Sequence, residues 1–279
     1  MRTWKYQPID QTVAKFVNCY WFIEKENSDI SADNPILNPD PSATLIIAPN
    51  DQRFCYQNSH QIFSGVGCHW LFPNSQSLQL DHAKPFHIMG IKFQVGALYS
   101  LNKKPAAPKL DLVEEIEFIA LFNNDTIEQR NILGLAKSND QLCIKLMDKL
   151  MLPWVKNSKL DKQSELVRKA IQLLSSTPVS NIGSKLNCSQ RTVERSFSRV
   201  TGLTLKQCQS MNRFEEVLNR LYQLENQQVN WLDIVDEFGF SDQPHLIHYI
   251  KNIIGKTPNE YLNKRDITID IYGDFETKT

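Results

Sequence analysis

Two stretches decide how this chain is read: Ile182-Gly183-Ser184-Lys185-Leu186-Asn187-Cys188-Ser189 and, 52 residues further on, Ile234-Val235-Asp236-Glu237-Phe238-Gly239-Phe240-Ser241. Each places apolar residues four apart, Ile182 with Leu186 and Ile234 with Phe238, and then enters a tight turn that ends in Ser. Four-residue spacing puts both side chains on one face of a helix. After the turn the likeness continues at an offset of 53, where Val193, Phe197, Val200 and Gly202 align with Leu246, Ile250, Ile253 and Gly255. Each unit is therefore expected to be a short helix, a turn of three or four residues and a second helix with an i, i+4, i+7 apolar stripe, stopped by glycine. Between the units, Met211, Phe214, Leu218 and Leu221 mark the buried stripe of a long helix at about 204–224. Before them, Ser164–Leu174 reads as a helix that opens on a capping residue and stops near Pro178. Residues 164–262 thus read as one all-helical domain.

The faces opposite the stripes suit a DNA groove. With Val193, Phe197 and Val200 turned inward, Arg191, Arg195 and Ser198 lie outward, flanked by Gln190, Thr192, Glu194 and Arg199. Guanidinium groups pair bidentately with guanine O6 and N7, Gln pairs with adenine, and Glu accepts from cytosine N4. Lys185, Arg199 and Lys206 suit phosphates better. In the second unit Leu246, Ile250 and Ile253 face inward and leave Gln243, His245, His248, Lys251 and Asn252 for nucleic acid, a less cationic surface.

Charge agrees once the chain is divided. All 279 residues balance 31 Lys+Arg against 31 Asp+Glu, which argues against a wholly basic coat protein or a polybasic membrane anchor. Within 185–220, however, seven cations face three carboxylates, while 221–265 nets −2 and the tail 266–279 nets −3. The positive field belongs to the first unit.

These residues match a known pattern. Gly239-Phe240-Ser241-Asp242-Gln243-Pro244-His245-Leu246, Ile250-Lys251, Gly255-Lys256-Thr257-Pro258 and Tyr261, with Ser189, Arg191, Arg195 and Phe197 in the first unit, resemble the DNA-binding domain of the AraC/XylS family of bacterial transcription regulators. The resemblance implies seven helices that set two recognition helices into successive major-groove segments of double-stranded DNA, and activation through RNA polymerase. Pro244, His248 and Leu262 depart from the pattern, the last two standing where Arg is common.

The first half reads differently. Val17–Ile23, Ala43–Ile47, Phe54–Tyr56 and Phe86–Phe93 are β-branched and aromatic runs punctuated by Pro35, Pro39, Pro41 and Pro49, as in a small sandwich or barrel. From about 111 the periodicity becomes helical, and Ile127, Leu133, Leu142, Leu146 and Leu150 place helices at 126–136 and 140–152, ending at Pro153. Their stripes serve either a dimer seam or the domain's own sheet. Pro39-Asp40-Pro41, Phe63-Ser64-Gly65 and Gly90–Tyr99 resemble landmarks of the family's β-rich sensory domain, which implies effector binding, dimerisation or both. The fold expected is α+β and multidomain: a β-rich domain with a helical C-terminal part over 1–155, a linker over 156–163, an all-α double helix-turn-helix domain over 164–265 and an acidic tail over 266–279.

Other chemistries find little support. His60, His69, His82, His87 and Cys68 lack the spacing of metal ligands, and Cys68 and His69, adjacent on an extended chain, point to opposite faces, which spoils a nucleophile and its base. No metal, cofactor or catalytic residue is expected. The six scattered cysteines read as free thiols, and the absence of an apolar leader or span gives a cytoplasmic protein as the expectation. Trp21, Phe22, Tyr56, Trp70 and Phe72 suit either a core or an apolar effector pocket. The competing reading is a β-domain enzyme or sensor of chemical damage fused to a DNA-binding module.

Overall fold

The strand-forming runs sort into two antiparallel sheets in the computed structural model, which describes all residues except 30–33, 102–107, 123–127, 225–228, 255, 256, 259 and 261–279. In chain order the first domain comprises β1 (Arg2–Tyr6), β2 (Val17–Lys25), β3 (Ile36–Leu37), β4 (Thr44–Ile47), β5 (Arg53–Gln57), β6 (Ile62–Val66), β7 (His69–Leu71), β8 (Leu78–Leu80), β9 (Phe86–Phe93), α1 (Ala97–Ser100), β10 (Val113–Glu115), α2 (Phe118–Phe122), α3 (Gln129–Ser138) and α4 (Asp140–Lys156). One sheet has the order β1-β2-β9-β4-β7-β10 and the other β3-β8-β5-β6. Alternation decides which face each residue serves. From β2, Cys19, Trp21 and Ile23 point between the sheets, where they meet Ile46, Tyr56, Leu71 and Leu80. Tyr20 and Phe22 point the other way and join Leu45, Met89, Ile91 and Phe93 beneath α3 and α4. The central strands of the six-stranded sheet are covered on both faces, so β2 reads as one continuous apolar run.

Three expectations are corrected here. Residues 113–115, placed in the helical part by periodicity, form β10 on the edge of the six-stranded sheet, where Val113 pairs with Leu71. Three residues are too few to carry a period, and the partner strand decides. Second, α4 runs through Pro153 to Lys156. Proline removes one N–H of the last turn, a small loss beside the burial of Trp154, whose ring stacks on Phe93 at 7° between planes. Third, the next helix starts before Ser164, because Asp161 is its N-cap and accepts from the backbone N–H groups of Gln163 and Ser164. The stripes of α3 and α4 are spent on the domain's own sheet through Ile132, Leu133, Ile144, Met147 and Leu150, while Leu142 stays half exposed. Ile127 lies outside the described residues.

The second domain contains α5 (Lys162–Leu173), a 3-10 turn (Val179–Asn181), α6 (Ile182–Lys185), α7 (Gln190–Thr201), α8 (Leu205–Gln223), α9 (Trp231–Phe238) and α10 (Gln243–Ile254). Its two cores are strung on α8. Cys208 and Met211 pack with Val167, Ile182, Val193, Phe197 and Val200, whereas Phe214, Val217, Leu218 and Leu221 pack with Ile234, Phe240, Leu246 and Ile250. The chain is thus a β-rich domain joined to an all-helical one, as expected, and among the described residues no helix is long and apolar enough to cross a membrane.

Candidate nucleic-acid interface

The first unit is built by close backbone approach. A Cβ on Gly183 would stand 2.7 Å from the backbone nitrogen of Gln190, so only glycine lets α6 lie this near the start of α7. Asn187 makes the turn at φ 53°, Ser189 caps α7 by accepting from the N–H of Thr192, and Gly202 ends it at φ 80°. Val193, Phe197 and Val200 are buried, so the outer face of α7 exposes Arg191, Thr192, Glu194, Arg195 and Ser198. Lys185 on α6 and Lys206 at the start of α8 are also exposed.

Two residues expected to face DNA have partners within the chain. Gln190 accepts from the Gly183 N–H at 3.0 Å and donates to Glu194 Oε1 at 3.0 Å, so its amide braces the turn. Arg199, expected on phosphates, sits where the two domains meet and hydrogen-bonds to the Tyr99 hydroxyl.

The second unit exposes His245, His248, Lys251 and Asn252 on α10 and leaves Gln243 half-buried, while Leu246 and Ile250 are fully buried. Asp242 accepts from the His245 N–H at 2.7 Å, and His245 Nδ1 lies 3.1 Å from Ser241 Oγ with its ring edge-on to Phe240. Pro244 costs little in the first turn, where backbone N–H groups have no helical partner. Gly255, Lys256, Tyr261 and Leu262, and the tail 266–279, lie outside the described residues.

Composition hid one structural role. Arg213 and Arg220, counted in the basic window, hold the second unit in place. The Arg213 guanidinium lies 3.8 Å over the Phe240 ring and donates to the Phe238 carbonyl, and Arg220 pairs with Glu237 at 2.9 Å. Tyr249 Oη donates to the Ser210 carbonyl at 2.6 Å alongside them. Besides Arg199 at the seam, the exposed cations in this window are therefore Lys185, Arg191, Arg195 and Lys206. An i, i+4 pattern tells an exposed Arg from a buried Val, but it carries no signal for an arginine whose partner is in another helix.

In the first domain the histidines form no common site. His69 is buried, hydrogen-bonded to Tyr56 Oη at 2.8 Å and to the Gly67 carbonyl at 2.9 Å, and burial lowers its pKa to about 4. Cys68 faces the opposite core, where burial raises its thiol to about 11. Among the described residues no group of three His, Cys, Asp or Glu is placed to hold a metal ion. Trp21, Phe22, Tyr56 and Trp70 are core residues, and a Cβ on Gly90 would fall inside the Trp21 indole, so the space between the sheets is filled. Phe72 also borders a cavity.

Residues 182–264 match the helix-turn-helix domain family, and residues 5–114 match a domain family of unknown function, DUF6597. No curated protein matches. Among solved structures the chain is similar to ToxT from Vibrio cholerae O395 (12% identity, 87% of this chain and 97% of that one, TM-score 0.49). It is also similar to the C-terminal domain of AraT, a response regulator from Geobacillus stearothermophilus (19%, 43% and 97%, TM-score 0.33). A third similar structure is the AraC-like transcriptional activator CuxR (11%, 81% and 87%, TM-score 0.27).

Proposed function

We propose that this chain, whose C-terminal domain is a helix-turn-helix domain of the AraC type, is a transcription activator that reads two successive major-groove segments with α7 and α10 under the control of its β-rich domain. The observation that carries this reading is the outer face of α7: Arg191, Arg195, Thr192 and Ser198 project from a helix whose opposite face is wholly buried. Such a helix fits a major groove about 12 Å wide and offers two guanidinium groups to guanine edges. Lys185 and Lys206, on the helices to either side, suit the flanking phosphates. In α10 the readers are His248, Lys251 and Asn252, with His245 and Gln243 at the start of the helix. Since α8 ties both units through Arg213 and Tyr249, the two helices present themselves to DNA as one rigid body.

The reading adds partners to double-stranded DNA: RNA polymerase, a small-molecule effector acting on the first domain, and a second copy of the chain. With the α3 and α4 stripes spent on their own sheet, a dimer uses another surface. The protein acts in the cytoplasm and by binding, without catalysis. Selection of bound sequences from a random DNA pool tests this. Two half-sites centred about 10–10.5 base pairs apart are expected, with the G-containing half opposite α7. Recovery of unenriched sequence would overturn the assignment, and repetition of the whole two-part site would report a dimer.

A further inference from the structure

A second run of positive charge lies outside the two helix-turn-helix units. Between residues 145 and 169 seven cations face three carboxylates, the same excess as in 185–220 within a shorter stretch. The boundary between the domains falls inside this run, so dividing the charge by domain hides it. Lys145, Lys149 and Lys156 of α4, Lys159 of the linker and Lys162 at the start of α5 are all exposed, as are the two further cations on α5. Two of the three carboxylates are committed elsewhere. Asp148 is buried on the N–H groups of Ile9 and Asp10, and Asp161 caps α5 and accepts from the Tyr99 hydroxyl. Lys92, Lys109 and Lys137 pair with Asp40, Glu114 and Glu24, but among the described residues none of these seven cations has a carboxylate partner.

Helix geometry gathers the charge. At 3.6 residues per turn, spacings of four and seven put Lys145, Lys149 and Lys156 within about 40° around α4, as a stripe about 16 Å long. A duplex presents about nine phosphates over that length. The stripe is also continuous with the groove-reading face. Arg199 in the last turn of α7 hydrogen-bonds to the Tyr99 hydroxyl, Tyr99 donates to Asp161, and Lys162 follows Asp161 directly, so the linker end of the patch lies beside the C-terminal end of α7. The linker is fixed there by the Lys159 N–H on the Ser100 carbonyl. A lipid surface fits less well, because the exposed Leu142 and Leu160 are single residues and the apolar side of α4 is already buried. We propose that the outer face of α4 and the linker after it form a second, sequence-independent DNA surface, which takes the phosphate backbone of the duplex beyond the segment read by α7. The proposal rests on the regulator reading for its partner. It also gives the β-rich domain a direct share of DNA affinity, since α4 belongs to that domain.

Fluorescence anisotropy of the full chain over a series of salt concentrations tests it, with two duplexes of about 60 base pairs, one carrying the selected site at its centre and one lacking it. The double variant Lys149→Gln/Lys156→Gln is expected to bind both duplexes roughly tenfold more weakly, by the same factor for each, and to lower the salt slope by about two units. Its control is Arg53→Gln/Lys84→Gln, which removes two exposed cations from the four-stranded sheet and the loop after it and is expected to leave affinity and slope near those of the wild type. The substituted side chains are all exposed, so folding is not at stake. The proposal is overturned if the α4 variant binds both duplexes with the affinity and slope of the wild type, or if the control loses as much, which would show an effect of net charge alone. Equal binding of the two duplexes by the wild type removes the regulator reading, and the stripe is then judged on the site-free duplex.

Discussion

Arg195 and Gln190 both belong to α7, five residues apart, yet physical chemistry assigns them different work. Arg195 is exposed beyond the last ring of internal contacts, so Arg195→Ala should weaken binding to the selected operator by about 1–3 kcal/mol and relax one base preference. Gln190 spends both ends of its amide on Gly183 and Glu194, so Gln190→Ala should cost about 1 kcal/mol of stability and leave base preference unchanged. Urea denaturation beside a binding-site selection separates the two, and a shifted preference in the Gln190 variant would return that residue to the interface. His69 makes a pH prediction. Its folded pKa, near 4, lies below the ordinary 6.5 because burial disfavours the imidazolium. The unfolded chain therefore binds more protons between these values, and stability should fall by about 3 kcal/mol as pH drops from 6.5 to 4. Half-buried His87, also lowered by burial, adds in the same direction. His69→Gln should flatten the profile, and an unchanged slope would remove His69 as its cause.

Between elements, single polar groups do the joining. Asp148 of α4, buried, accepts from the backbone N–H groups of Ile9 and Asp10 and from the Tyr20 hydroxyl of β2, so one carboxylate ties the N-terminal segment, the sheet and the helix layer. Asp148→Ala leaves three donors without an acceptor and should cost about 3 kcal/mol or more, with Asp148→Asn recovering part of it. Thermal unfolding of the three proteins measures this, and equal midpoints would show that water replaces the carboxylate. Much at this scale was legible in advance. The stripe of Val193, Phe197 and Val200 is fully buried, and Ser189 caps α7, because helix period and capping are local. The short strands β3, β7, β8 and β10 were not legible, since two or three residues cannot show alternation and are strands only through their partners.

Over the whole molecule, the two domains touch at the ends of α7 and α10. Val200 packs on Gly96, and Ser77 Oγ donates to the Ile253 carbonyl of α10, while the linker is pinned where the Lys159 N–H donates to the Ser100 carbonyl at 2.8 Å. Gly96 is the tightest point, at φ 76° with Val200 above it. Gly96→Ala should therefore cost about 1–2 kcal/mol through its left-handed backbone alone, and more through the clash. Because the clash is between domains, the variant should also be cleaved faster by protease within residues 157–161. Melting and cleavage indistinguishable from the wild type would show that the seam carries no mechanical load.

What the sequence determined by itself is whatever repeats locally: two helix-turn-helix units at an offset of 52 to 53, their buried stripes, their exposed Arg191 and Arg195, and the strand-rich character of the first half. What only the tertiary structure decided is how individual polar groups are spent. Arg199 turns to the domain seam and Gln190 braces a turn, although both looked outward on the pattern of residues, and Arg213, which the sequence showed only as part of a basic window, clasps Phe240. The reason is range. Periodicity is set by the geometry of one helix over a few residues, whereas the partners of Arg199 and Arg213 come from 100 and 27 residues away in the chain, and nothing local encodes where such partners will meet.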